Sequence, residues 1–123
     1  MQANVTSEAD VAQLFRVLNS DRPAQVLILN HGLWPTANIQ LADMSLEQWN
    51  LTVATNLTSN FMLARGYLNG LRSISDVQRA KAAIVMVGST AGKYGEAGHS
   101  DYASAKSGAQ IGSGQRFVLK SIF

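Results

Sequence analysis

The sequence has 123 residues, is 46% hydrophobic, carries a formal net charge of +2 and contains no cysteine. That length and apolar content suit one small domain with a core, and the lack of cysteine excludes disulfides and thiol nucleophiles. Most basic residues are scattered and only Arg72, Arg79 and Lys81 cluster, which reads as a solvated connection, not a nucleic-acid-binding stripe. No apolar run approaches the roughly 20 residues of a membrane span and no signal-peptide pattern opens the chain, so a soluble cytoplasmic protein is expected, with no membrane or nucleic-acid partner.

The spacing predicts a helix over 7–19: Ser7 caps it with Asp10 three positions on, and Val11, Leu14, Phe15 and Leu18 share a face. Asn19, Ser20, Asp21 and Pro23 end it. "QVLILN" (25–30) is a short apolar run that reads as a buried parallel strand, followed by the loop "HGLWPTAN". From Ser45 to about Leu71 the pattern is helical, with Val53, Leu57, Phe61, Ala64 and Leu68 on one face. Residues 72–81 are polar and connecting, "AAIVMVGS" (82–89) is a second buried strand, and "TAGKYGEAGHS" is a Gly-rich loop before a helix that starts near Ser100 or Asp101. This α–β–α–β–α order implies a parallel sheet covered by helices on both faces. Two parallel strands make a poor sheet by themselves, with apolar edges left unpaired, so the chain is expected to be part of a larger fold.

Ligands of such sheets sit beyond the carboxyl ends of the strands, where "NHG" (30–32) and "GSTAGKYG" (88–95) lie. The second segment fails the phosphate-loop pattern, because the glycine spacing is one residue short and Tyr94 follows Lys93 where Ser or Thr is needed. "VGSTA" lacks the spacing of a hydrolase nucleophile, so Ser89 by itself reads as a serine that satisfies local backbone. His31 and His99 are far apart, with no ligand-spaced carboxylates, and no metal site is expected. Asn56 belongs to a stripe with Thr52, Ser59 and Asn60, which is either a polar outer face or the mark of a buried amide or a local helix distortion that holds a water. Tyr102 and Lys106 are four positions apart in "SDYASAKSG" and share a helix face. Turning a phenol into a base near neutral pH takes about 4 kcal/mol. One ammonium about 4 Å away, at an effective dielectric of about 20, supplies roughly that.

Together these stretches resemble the short-chain dehydrogenase/reductase family. The matching text is "LILNHG" for its strand and Asn-Ala-Gly turn, "WNLTVATNLTSNF" for its Asn-containing helix, "IVMVGSTAG" for its serine strand and "YASAK" for its Tyr-x-x-x-Lys. "NVTSEADV" (4–11) is similar to the end of the family's third strand and the next helix. Four motifs in order, from about Asn4 to Ile111, make the resemblance specific.

The resemblance implies a partial, doubly wound Rossmann-like NAD(P)-binding domain over 1–123 and hydride transfer between NAD or NADP and a carbonyl or alcohol carbon of a small molecule. On matching positions, Tyr102 is the acid/base at the substrate oxygen and Ser89 hydrogen-bonds that oxygen. Lys106 lowers the Tyr102 pKa and binds the nicotinamide ribose, and Asn56 positions a water in the proton relay. Asn30 and Gly32 line the cofactor near the adenine ribose, while Asn4 and Val5 match positions that touch the adenine. Asn4 stands where the family usually has Asp, and His31 replaces a small residue. No Gly-rich pyrophosphate turn precedes Asn4, and after Ile111 the pattern stops, leaving a divergent tail over 112–123. The expectation is therefore a truncated member, with pairing of two copies through the Asn56 and Tyr102 helices. The competing expectation is an inactive fragment that at most associates with full-length relatives.

Overall fold

The computed structural model of the chain describes residues 2–19 and 24–112. The expected tail beyond Gly112, and Ser20, Asp21 and Pro23 of the first helix end, lie outside the described residues. Helix α1 spans Glu8–Leu18, strand β1 Val26–Leu29 and helix α2 Leu46–Val53. A π-helical segment, Ala54–Thr58, joins α2 to α3, Ser59–Leu71. Helix α4 is Asp76–Arg79, β2 is Ala83–Met86, α5 is Thr90–Tyr94 and α6 is Ser100–Gly112.

Local signals set several of these boundaries. The Ser7 hydroxyl accepts from the Asp10 N–H at 3.3 Å, satisfying an otherwise orphaned donor at the start of α1. Ser45 does the same for α2, accepting from Gln48 N at 3.1 Å. Ser75 and Gln78 form a reciprocal capping box at α4, a short helix inside the stretch expected to be only connecting. The Gly-rich loop likewise contains α5, capped by Ser89 and ended by Gly95 at φ 80°, a conformation that glycine adopts without strain.

The two strands pair in parallel, Val26 opposite Ala83 through Leu29 opposite Met86. The core joins Leu29 and Ile84 to Val11 and Phe15 of α1 and to Met62, Leu63, Tyr67 and Leu71 of α3. Side chains alternate along a strand, and Val26 and Ile28, which alternate with Leu27 and Leu29, are 50% and 62% exposed. Among the described residues, helices therefore pack one face of β1 only.

The α2–α3 region is turned relative to its expected apolar face. Phe61 is 58% exposed and Val53, Leu57, Ala64 and Leu68 are only partly buried. The stripe Thr52, Asn56, Ser59 and Asn60 is buried instead. A π turn adds a residue to one helical turn and rotates everything beyond it. Helix periodicity carried unbroken from Ser45 to Leu71 therefore cannot describe both halves.

Candidate active site

The site is assembled where β1 and β2 end. Asn56 lies in the π segment and is fully buried. Its side-chain amide donates to Leu33 O at 2.9 Å and to Thr52 O at 3.0 Å, while its Oδ1 accepts from Leu33 N at 3.0 Å. The buried-amide reading in a distorted helix is thus the one the geometry supports, and the amide clamps the loop that follows β1. Its backbone carbonyl accepts from Asn60 Nδ2 at 2.8 Å.

Lys106, on α6, is 5% exposed. Its Nζ donates to Val87 O at 3.2 Å and lies 5.8 Å from the centre of the Tyr102 ring. Among the described residues no carboxylate pairs with it, and burial holds its pKa below the ordinary lysine value. Gly32 sits against both groups: a Cβ there would be 2.8 Å from Asn56 Oδ1 and 3.5 Å from Lys106 Nζ. The strand-end glycine, the asparagine and the lysine are therefore brought together.

Ser89 ends the second strand region and caps α5, its Oγ accepting from Ala91 N at 3.2 Å. Capping uses the hydroxyl as an acceptor and leaves its proton available to a further acceptor. The bland and the functional readings of Ser89 are compatible. Its carbonyl accepts from Gln110 Nε2 at 3.1 Å, tying the serine to the helix that carries Lys106. Gly92 allows this approach: a Cβ there would lie 2.8 Å from the Lys106 carbonyl carbon and 2.9 Å from Ser107 N. In this loop, Gly92 serves helix packing and not only ligand access.

Tyr102 is half-buried. Asp101, immediately before it, is fully buried and accepts from Thr52 Oγ1 at 2.8 Å, Gln48 Nε2 at 3.2 Å and Tyr102 N at 2.8 Å. Burial favours the neutral acid, but these donors outweigh it and hold the carboxyl below its ordinary range. A hydrogen-bonded chain thus runs from Leu33 through Asn56 and Thr52 to Asp101 and the Tyr102 backbone. Sequence reasoning missed Asp101, which looked like an ordinary residue at a helix start. The signal available was Gln48, Thr52 and Asn56 recurring every four residues.

His31 is half-buried, with Nε2 and Ser59 Oγ 2.6 Å apart. Ser59 Oγ donates to Thr55 O at 2.6 Å, so Nε2 carries the proton shared with Ser59. Burial, and then the Lys106 charge, lower the His31 pKa. Asn30 is exposed at the end of β1. Asn4 is exposed too, and its Oδ1 accepts from Thr6 N at 3.0 Å and Thr6 Oγ1 at 2.8 Å. Val5 packs against the core. No hydrogen bond of Asn4 reaches the Asn56–Lys106 group among the described residues, where no cluster of metal ligands occurs either.

The arrangement offers a hydroxyl, a phenol and a buried ammonium at one sheet end, a set suited to holding and protonating an oxygen. A family model described as short chain dehydrogenase matches residues 1–112. The chain is 31% identical over 109 residues to the 3-oxoacyl-[acyl-carrier-protein] reductase FabG of Vibrio cholerae, covering 88% of this chain and 42% of that protein. It is 33% identical over 107 residues to the D-beta-hydroxybutyrate dehydrogenase of Cupriavidus necator, covering 86% and 39%. A short chain dehydrogenase structure from Mycobacterium smegmatis superposes with a TM-score of 0.74 at 30% identity, over 86% of this chain and 42% of that one. The chain thus spans about two fifths of the length of these relatives. By sequence and by parallel α/β fold, it belongs to the short chain dehydrogenase family.

Proposed function

We propose that this chain carries the acid/base part of an NAD(P)(H)-dependent oxidoreductase that interconverts a carbonyl and an alcohol. The observation that carries this is Lys106: a buried ammonium without a carboxylate partner among the described residues, 5.8 Å from the Tyr102 ring and beside Gly32 and Asn56. Relatives named for a 3-oxoacyl reductase, an acetoacetyl-CoA reductase and a hydroxybutyrate dehydrogenase support the reaction type.

The residues present fit such a cofactor at its ribose end. Lys106 uses one of its three ammonium protons on Val87 O, and the others suit a pair of ribose hydroxyls. Asn30 and Gly32, exposed at the strand end, would line the cofactor, and Asn4 and Val5 would lie toward its adenine. The bound nicotinamide supplies or accepts the hydride. Ser89 donates its free proton to the substrate oxygen and orients it. Tyr102 gives that oxygen a proton during reduction and takes one during oxidation. The Lys106 charge stabilises the phenolate that remains. The Asn56 backbone carbonyl would be the acceptor for a relay water.

The reading is tested by calorimetric titration of the purified chain with NADH and NADPH. Binding of either supports it; binding of neither sinks it and leaves the second reading, an inactive fragment that associates with a relative. The exposed Val26 and Ile28 of β1 favour that alternative. Pairing of two copies through the Asn56 and Tyr102 helices is proposed on Phe61, which is 58% exposed, and on a groove lined by Leu57, Ala64, Leu68, Gly108 and Ala109. No helix among the described residues is long and apolar enough to cross a membrane, and we place the protein in the cytoplasm.

A further inference from the structure

We propose that Trp34 is a specificity-determining residue, one that gives the site a preference for carbonyl compounds with a flat aromatic group next to the carbonyl carbon. The inference rests on the reading of Tyr102 as acid/base and adds the substrate class. Trp34 meets the Tyr102 ring edge to face, with centroids 4.7 Å apart at 79°. It also lies against the His99 ring, at 4.1 Å and 36°. His99 is 3% exposed, so the indole has a buried backing.

Trp34 is nevertheless 46% exposed. A tryptophan needed only for packing would be expected to bury its large apolar surface, because that surface is what it contributes. Here about half of it stays in water beside the reacting group.

The position is also fixed. Leu33, the residue before Trp34, is held through both its N–H and its carbonyl by Asn56. On the far side, Ile39 N donates to Gly98 O at 3.0 Å. Gly98 has φ 75°, and a Cβ there would lie 3.0 Å from Asn38 Cβ, so the two loops are in close contact. The residue whose backbone carbonyl belongs to the proposed relay therefore also sets, through its side-chain amide, where the indole stands. An aromatic surface held in place next to the phenol favours a ring that can stack or meet it edge-on over a saturated ring of equal carbon count.

The experiment uses the full chain, labelled with nitrogen-15, with and without saturating NADP. The sequence has two tryptophans, Trp34 and Trp49, so two indole N–H resonances are followed and assigned with Trp34→Leu. Acetophenone and cyclohexyl methyl ketone are the probes. Acetophenone is expected to move the Trp34 resonance and to bind about three- to tenfold more tightly than the saturated ketone. Trp34→Leu should erase that preference, and Trp34→Phe should restore part of it. Equal affinities, a preference unchanged in Trp34→Leu, or no movement of the Trp34 resonance would overturn the inference. The two readings fail separately. Aromatic preference without oxidation of NADPH removes hydride transfer and keeps the aromatic wall. Turnover of both ketones with equal kcat/KM keeps hydride transfer and removes the wall.

Discussion

The side-chain amide of Asn56 is hydrogen-bonded at both ends to the backbone of Leu33, donating at 2.9 Å and accepting at 3.0 Å. A residue matched to catalysis by sequence is also the anchor of the loop over the site. Asn56→Ala would leave the Leu33 N–H and carbonyl without these partners. The expected cost is about 1–3 kcal/mol, read as a lower urea midpoint with an unchanged slope. Asn56→Asp should be no milder, because it points a carboxylate at the carbonyls of Leu33 and Thr52. An unchanged midpoint in both variants would refute the anchoring role.

Tyr102→Phe removes the hydroxyl and keeps the ring that meets Trp34. Turnover should fall at least about 100-fold, the lower range for loss of a general acid. Cofactor affinity by calorimetry should stay nearly intact. Turnover close to that of the unmodified chain would show that another group transfers the proton.

Asp101 is expected to contribute to the loss of stability in acid. Its carboxyl is held below the ordinary value of 3.8 in the folded chain. Its stabilisation is therefore fully present above that value and is lost as pH falls through the lower folded value. Asp101→Asn should reduce stability at neutral pH, and the gap to the unmodified chain should close in strong acid. Parallel stability curves down to about pH 2 would contradict this linkage.

His31 acts in a separate window. Its folded pKa lies below 6.5, through burial and then the charge of Lys106. The unfolded chain therefore binds the proton more readily, and stability falls as pH drops below that value. His31→Gln can still hydrogen-bond Ser59 but cannot titrate. Between about pH 7 and pH 5 it should lose less stability than the unmodified chain; an equal loss would place the titrating group elsewhere.

Gly92→Ala should destabilise the chain although alanine is the better helix former. The added methyl meets the α6 backbone at 2.8 and 2.9 Å, where no side chain can swing aside. Overpacking of this kind costs about 1–3 kcal/mol. A raised thermal midpoint would mean that α5 moves away freely, and Ser89 with it.

Patterns of short range were legible in the sequence. Ser7 with Asp10 fixed the start of α1, the apolar runs gave β1 and β2, and Ser100 opened α6. These signals act within a turn or a strand, so neighbouring residues suffice to read them. The order of the four motifs was also readable, and with it the family. The sequence did not show that α2 passes into α3 through a π turn. That turn buries Thr52, Asn56, Ser59 and Asn60 and exposes Phe61. Nor could it show that Gly92 makes room for α6, or that Asp101 gathers donors from Gln48 and Thr52. Each depends on groups far apart in the chain meeting in a buried space. There, an unpaired polar atom is costly and a single methyl can clash, so only the tertiary packing decides which face of each element turns inward.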